Sequence, residues 1–390
     1  MTKKIRLIIL IICAVCFFVI APMLIFYSMG YRYDFKKMKL TETGGIYVRS
    51  FPAADQIIID SKIIKKPGFL ANDVFVQSLM PDEHTVLVKK IDYYDYSKTI
   101  PVEQKEVTKL ENILLFKKDI KFTLSKGISI PSNEFQSPFI NQDKYIVKNN
   151  ALYYSDATQN LDISATKKSI PVLKKVITYS LQGNNILWLA TDGFIYKSDI
   201  SNLTPSTAKI TTTAIKIKKS GIYKIINDDK NIFFNNNGNL MLLNPKTNAL
   251  DNFYSPVQDA TIAQSQDGAN IVYYNDNNIY ISLIPSNGSP ILPKHSLYKS
   301  NEKITNCIWL NSSYIIFTIG NPEKNGAGKI IISEIDYRGK INTITLPQTI
   351  TLSPTQKIDL INPQIYFEQK TGELFILTGK TLIVSEKLTK

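Results

Sequence analysis

Cysteine and histidine are both scarce in this chain of 390 residues, which has three of the first and two of the second. Cys13 and Cys16 fall in an apolar run near the N-terminus, so Cys307 stands alone in the remainder and an intramolecular disulfide is excluded there. Zinc sites want three or four Cys, His or carboxylate ligands. His295 has no carboxylate or cysteine near it in sequence, and His84 reads as a solvent-facing residue in the turn before a strand. A Ser-His-Asp arrangement needs a histidine placed beside its serine. Neither a G-x-S-x-G nucleophile elbow nor a Gly-rich phosphate loop occurs. The sequence therefore nominates no catalytic, cofactor-binding or metal-binding residue, and the chain reads as a non-enzyme without a cofactor.

Charge is missing from one long stretch. No charged side chain occurs from Leu7 to Tyr31, and nearly every position from Leu7 to Tyr27 is apolar (LIILIICAVCFFVIAPMLIFY). A bilayer core needs about 20 such residues at helical rise. A cleaved signal peptide has an apolar region of about 7–15 residues ending at small residues, and neither condition is met. The residues before the two cysteines are Ile12 and Val15, where a lipidation motif wants a small side chain. Pro22 lies inside the run, where a bilayer helix tolerates a kink. Lys3, Lys4 and Arg6 precede the run, which fits a cytoplasmic N-terminus. The far flank is basic too, with Arg32, Lys36, Lys37 and Lys39 against Asp34. The expectation is a cytoplasmic tail (1–6), a transmembrane helix (7–29), and soluble domains on the extracytoplasmic side of the cell membrane.

The net charge of +13 is unevenly placed. Residues 1–43 hold seven basic and two acidic side chains, residues 44–119 hold eleven of each, and the remaining excess is spread thinly. No clustered Lys/Arg footprint exists, which excludes nucleic acid as the expected partner. A Lys-rich solvated surface is the plain reading, and weak attraction to anionic envelope polymers or lipid headgroups is the sharper one.

After residue 44 the pattern turns to short strands broken by turn residues. GIYVRSFP (45–52) alternates with period two, QIIID (56–60) is a second strand, and KKPGFL supplies a Pro-Gly turn. VFVQSLMPDEHTVLVKK (74–90) gives strand, turn and strand, and SKTIPVEQKEVTKLENILLF (97–116) gives two more. The order Ser50, Pro52, Ala53-Ala54, then Ile57 to Asp60, Pro67-Gly68, Leu79 and Pro81, Thr85 to Val88, Tyr93-Tyr94 and Thr99 to Val102 resembles the PEGA domain. The resemblance covers about residues 44–116 and departs from the family pattern where Ser61 and Asp82 replace turn glycines. It implies a small all-β module at a bacterial or archaeal surface, without recognised catalytic residues.

Residues 120–390 repeat a unit of apolar strand, polar turn and apolar strand. First strands are YIV (145–147), ILWL (186–189), IFF (232–234), IVYY (271–274), YIIF (314–317) and IYF (365–367); their partners begin near 151, 194, 240, 278, 329 and 373. Markers at Leu152, Ile195, Leu240, Ile279, Ile330 and Leu374 are spaced by 43, 45, 39, 51 and 44 residues, the period of four-stranded propeller blades. Blades bury both faces of each sheet, so strict alternation is not expected. IAQSQDGANIVYY (262–274) and CIWLNSSYIIF (307–317) resemble the blade turns of TolB-like and WD40-like propellers, with Gln266 in place of a proline. Six blades are visible; five or seven also fit, because 120–142 can complete the last blade and close the ring.

The expected architecture is thus an all-β soluble region, a PEGA-like domain (44–119) plus a six-bladed propeller (120–390), behind one transmembrane helix. Trp188, Trp309, Tyr273 and Phe317 read as blade packing. Asp192, Asp267, Asp276, Glu334 and Glu373 lie in blade turns or strands, where carboxylates usually bind their own backbone. The loops 228–231 (DDKN) and 275–278 (NDNN) lack EF-hand spacing and read as turns in preference to calcium sites. The leading expectation is an envelope protein presenting its propeller to a protein or polysaccharide partner. The alternatives are a propeller hydrolase cutting envelope glycans with paired carboxylates, and a scaffold facing the cytoplasm. Asn202, Asn287 and Asn311 head N-x-S/T glycosylation motifs.

Overall fold

A computed structural model describes residues 3–35, 37–65, 73–125, 145–154, 172–182, 185–199, 206–228, 230–265, 268–285, 293–320 and 326–389. The chain divides into two compact units, Met1–Ile120 with Arg338–Asn342, and Lys121–Tyr337 with Thr343–Lys390.

The first unit begins with the helix Lys3–Ser28, which carries Pro22 within it. Its stretch Ile5–Ser28 is long and apolar enough to cross a membrane, and its apolar window has no part buried. Gly30, at φ +90°, ends it in the left-handed conformation that glycine adopts freely. A hairpin follows that the sequence reading passed over, Tyr31–Asp34 paired with Lys39–Glu42.

Two further sheets complete the unit. One orders Asp73–Leu79, Gly44–Phe51 and Val107–Leu114, with Gly44–Phe51 and Val107–Leu114 parallel. The other orders Lys62–Lys65, Gln56–Ile59, Glu83–Lys89 and Tyr96–Pro101. Alternate residues meet in one core of Ile46, Val48, Ile57, Ile59, Val86, Val88 and Ile100, all at most 1% exposed, with Val74, Leu110 and Ile113. The Pro67-Gly68 turn lies outside the described residues.

The two glycine replacements behave differently. Asp60 and Ser61 take φ of +49° and +66° as the two-residue link between Ile59 and Lys62, the conformation of a type I′ hairpin turn. Near the other, the left-handed residue is Ser78 (φ +63°), at a register shift opposite Gly44-Gly45, while Asp82 accepts a hydrogen bond from the Glu83 amide. A non-glycine residue in the left-handed region costs roughly 1 kcal/mol. Ser61→Gly is therefore expected to stabilise this unit by about 0.5–1 kcal/mol in urea denaturation, and Ser61→Val to destabilise it.

The second unit is a succession of small antiparallel sheets. Sheet 1 has three described strands, Tyr145–Lys148, Ala151–Tyr154 and Leu173–Lys174. Sheet 2 runs Val176–Gln182, Asn185–Ala190, Ile195–Asp199, Ser206–Lys209. Sheet 3 runs Tyr223–Asn227, Ile232–Asn236, Asn239–Leu243, Leu250–Tyr254. Sheet 4 runs Asp259–Ser265, Gly268–Tyr274, Asn278–Pro285, His295–Lys299. Sheet 5 runs Ile304–Asn311, Tyr314–Ile319, Lys329–Glu334, Thr343–Thr345. Sheet 6 is built from both ends of the unit: Gln364–Glu368, Glu373–Thr378 and Thr381–Ser385 are followed in space by Phe122–Leu124. Among the described residues these six sheets form a β-propeller arrangement, and the last of them is completed by the first described strand of the unit.

Second strands are buried over most of their length, as in Asn185–Ala190 and Glu373–Thr378, and in Tyr314–Ile319 every residue is buried. Neighbouring sheets cover both faces there, which is why these segments read as continuous apolar runs. The repeat frame needs one correction. In sheets 2 to 5 the apolar pairs found in the sequence are second and third strands. In sheet 6 the pair at 365–367 and 373–376 is the first and second, so the last spacing compares unlike strands. A further hairpin, Thr349–Ser353 with Gln356–Asp359, lies between sheets 5 and 6.

Candidate functional site

Most turn carboxylates and amides are committed to the backbone. Asp192 accepts from the Phe194 amide at 3.0 Å and from the Tyr196 hydroxyl at 2.9 Å, which holds that phenol's pKa above its ordinary value. Asp228 caps Lys230 and Asn231, and Asn275 caps Asn277 and Asn278, so the loops weighed for calcium carry Asx turns instead. Asn311 accepts from the Ser313 amide. Asp276 faces Lys303 at 3.3 Å. Glu334 is 3% exposed at the end of a third strand. Glu373 opposes Glu368, whose carboxylate takes the Tyr366 hydroxyl and the Lys370 amide. Asp267, Asn202 and Asn287 fall outside the described residues. Among the described residues no group of three or more His, Cys, Asp and Glu is gathered as for a metal.

First strands of neighbouring sheets are tied by side chains. Lys224 in sheet 3 donates to both oxygens of Asp259 in sheet 4, at 2.8 and 2.6 Å. The Asn227 amide donates to the Leu181 carbonyl at 3.4 Å, and Asn306 donates to the Ile365 carbonyl at 3.3 Å. Gln369 donates to the Trp309 carbonyl at 3.1 Å. First strands carry edge carbonyls toward the centre of such a fold, and amides satisfy them without adding charge.

An aromatic and cationic surface forms where sheet 3 meets sheet 4. Tyr273 is 1% exposed and stacks on its cross-strand neighbour Tyr280, with ring centres 5.7 Å apart. Phe253 and Tyr254, from the outer strand of sheet 3, pack on Tyr273 at 5.5 and 5.0 Å. The Lys294 ammonium donates to the Tyr254 hydroxyl at 3.1 Å and lies over the rings of Tyr254 and Tyr280, at 4.3 and 4.9 Å. Hydrogen bonding to Tyr254 raises the pKa of Lys294. Burial pushes Tyr254 up, but donation from Lys294 and Tyr280 outweighs it, leaving the phenol below its ordinary value. Next along the chain, His295 begins the outer strand of sheet 4 and stacks on Tyr337 at 3.6 Å. Tyr337 is 43% exposed. No sequence motif marks this surface, because its members lie on separate strands and loops.

The remaining residues singled out in the sequence are interior. Trp188 donates to Ser198 at 2.9 Å and stacks on Tyr196; Trp309 is 8% exposed. Cys307 is fully enclosed and burial pushes its thiol pKa up strongly. It is expected to resist iodoacetamide in the folded protein and to react in denaturant, read by mass in a variant lacking Cys13 and Cys16.

His84 corrects the sequence reading. It is buried, not solvent-facing, with Nδ1 against Asp60 at 2.5 Å and Nε2 donating to the Met80 carbonyl at 2.7 Å. Asp60 also accepts from the Thr85 amide at 3.0 Å, so this pair locks the Asp60-Ser61 turn to the next strand.

No family model matches the chain, and no curated protein matches it. Among solved structures, the chain is similar to the β-propeller domain of Cps50 (Swd1) from Myceliophteria thermophila, with a TM-score of 0.42 and 11% identity over 78% of this chain and 94% of that one. It is similar also to YCF48 bound to D1 peptide, with a TM-score of 0.38 and 13% identity over 78% of this chain and 89% of that one. The WD40 domain of SCAP from fission yeast gives a TM-score of 0.37 and 10% identity over 81% of this chain and 87% of that one.

Proposed function

We propose that this chain is a membrane-anchored cell-envelope protein that presents a β-propeller to a protein or polysaccharide partner and performs no catalysis. The observation that carries this reading is the helix Ile5–Ser28, free of charge after Arg6 and unburied over its apolar run, joined at once to β-structure. On this reading residues 1–6 form a cytoplasmic tail, residues 7–29 the span, residues 44–119 a PEGA-like spacer, and residues 120–390 the binding domain. The binding role is supported by where the polar groups are spent. Lys224 and Asp259 neutralise each other, and Asp192, Asp228, Asn275 and Glu368 hold turns. The band of Tyr254, Tyr280, Lys294, His295 and Tyr337 offers stacking and cation–π contacts to a ligand.

The basic residues after the helix, Arg32, Lys37 and Lys39 among them, favour the second reading, in which the propeller faces the cytoplasm. Proteinase treatment of intact cells separates the two. Cleavage of the propeller without permeabilisation is expected; full protection until the membrane is opened would reverse the orientation. Crosslinked pull-down from detergent-solubilised membranes, with Tyr254→Ala and Tyr337→Ala as controls, is expected to recover a partner that both variants lose.

A further inference from the structure

The hairpin directly after the helix is amphipathic, and its exposed side is apolar. Tyr33 pairs with Leu40 across the two strands, so their side chains share one face, and Phe35 and Met38 lie in the turn that joins the strands. Their exposures are 44% for Tyr33, 53% for Leu40, 81% for Phe35 and 72% for Met38. They touch one another: the rings of Tyr33 and Phe35 are 5.0 Å apart, and the Tyr33 hydroxyl lies 3.7 Å from the Met38 sulfur. On the opposite side Asp34 and Thr41 are buried, at 7% and 3% exposed. Contiguous apolar surface of this kind marks a contact, in contrast to apolar residues scattered singly.

The hairpin is fastened to the end of the helix. Phe26 meets Tyr31 edge to face at 5.5 Å, the Arg32 guanidinium lies 3.5 Å from the Tyr27 ring centre and donates to the Tyr27 carbonyl, and Thr43 closes the hairpin base on the Gly30 carbonyl. Through Phe26 and Tyr31 the apolar face continues from the apolar surface of the helix. Exposed Lys37 lies in the same turn, and exposed Lys39 precedes Leu40 with its side chain on the Asp34 side; aromatic side chains flanked by lysine match the headgroup region of an anionic bilayer.

We propose that the hairpin Tyr31–Glu42 is a second membrane contact, with Tyr33, Phe35, Met38 and Leu40 seated at the headgroup–acyl boundary and Lys37 and Lys39 at phosphate level. This rests on the reading of Ile5–Ser28 as a span. The test uses the full chain in vesicles of zwitterionic and anionic lipid, spin-labelled at one cysteine at a time. The sites are Cys16 in a Cys13→Ser background, and Phe35→Cys, Met38→Cys or the propeller reference Lys219→Cys in a Cys13→Ser/Cys16→Ser background. Collisions with oxygen, which partitions into lipid, are compared with collisions with a water-soluble nickel chelate. Labels at 35 and 38 are expected to lose nickel collisions several-fold relative to 219 while gaining oxygen collisions, at a depth shallower than Cys16. In a Met38→Cys label carrying Tyr33→Ser, Phe35→Ser and Leu40→Ser, nickel access should return to the level at 219. A deep Cys16 label with 35 and 38 as nickel-accessible as 219, or shielded from both relaxants as in a protein contact, would overturn the hairpin proposal and leave the span intact. Nickel access at Cys16 itself would overturn both.

Discussion

Phe317→Ala is expected to destabilise the propeller by about 3–5 kcal/mol, the range for truncating a buried phenylalanine. Phe317 has no exposed surface and sits in the middle of the second strand of sheet 5, opposite Cys307 on one side and Ile331 on the other. Its ring lies 4.7 Å from Tyr298 in the outer strand of sheet 4, so the cavity opens where two sheets meet and neither can collapse into it alone. At the size of this unit the loss corresponds to a Tm lowered by about 10 °C, measured by thermal unfolding of the detergent-solubilised chain. Tyr298→Ala should cost less, because its ring is only partly buried, and the double variant should cost less than the sum of the two if the rings act as one packing unit.

Ile383→Pro should cost more, on the order of 5 kcal/mol, from one buried ladder bond and one buried side chain. Ile383 is unexposed and lies in Thr381–Ser385, which pairs with Glu373–Thr378 on one side and Phe122–Leu124 on the other. A strand flanked on both edges has no direction in which an absent N–H is harmless. Because Phe122–Leu124 comes from the other end of the unit, the break is felt at both termini of the propeller. Amides of residues 122–124 should exchange hydrogen at unprotected rates, while those of Tyr314–Ile319 keep partial protection. Uniform protection in the variant would mean that sheet 6 does not depend on this strand.

The all-β architecture was legible because second strands sandwiched between sheets, such as Asn185–Ala190 and Tyr314–Ile319, leave dense apolar runs at a regular period. First strands such as Tyr223–Asn227 were harder to see. They mix Lys224 and Asn227 with Ile225 and Ile226, since one edge carries polar ties to the neighbouring sheet. The closing strand is three residues long, too short for periodicity to reveal, though its place was anticipated from the need to complete a ring.

His84 was misplaced because Pro-Asp-Glu before it reads as a turn. The strand starts at Glu83, and its alternation puts His84 in phase with the buried Val86 and Val88, a signal present in the sequence had the phase been extended by one step. The hairpin Tyr31–Glu42 escaped notice because its lysines were counted only as a membrane flank. Alternation of Tyr31, Tyr33 and Phe35, then of Met38 and Leu40, was there to read. The aromatic surface of Tyr254, Tyr280 and Lys294 could not be read at all, since it draws on two sheets and a loop whose contact depends on the register between them.

Flotation of the full chain with vesicles after alkaline carbonate washing, beside a chain beginning at residue 30, tests the anchoring of the propeller most directly. The full chain is expected to float with lipid through the wash, while the shortened chain stays in the aqueous fraction with its β-sheet circular dichroism unchanged. A full chain released by carbonate, or cut after the apolar run during maturation, would contradict that anchoring.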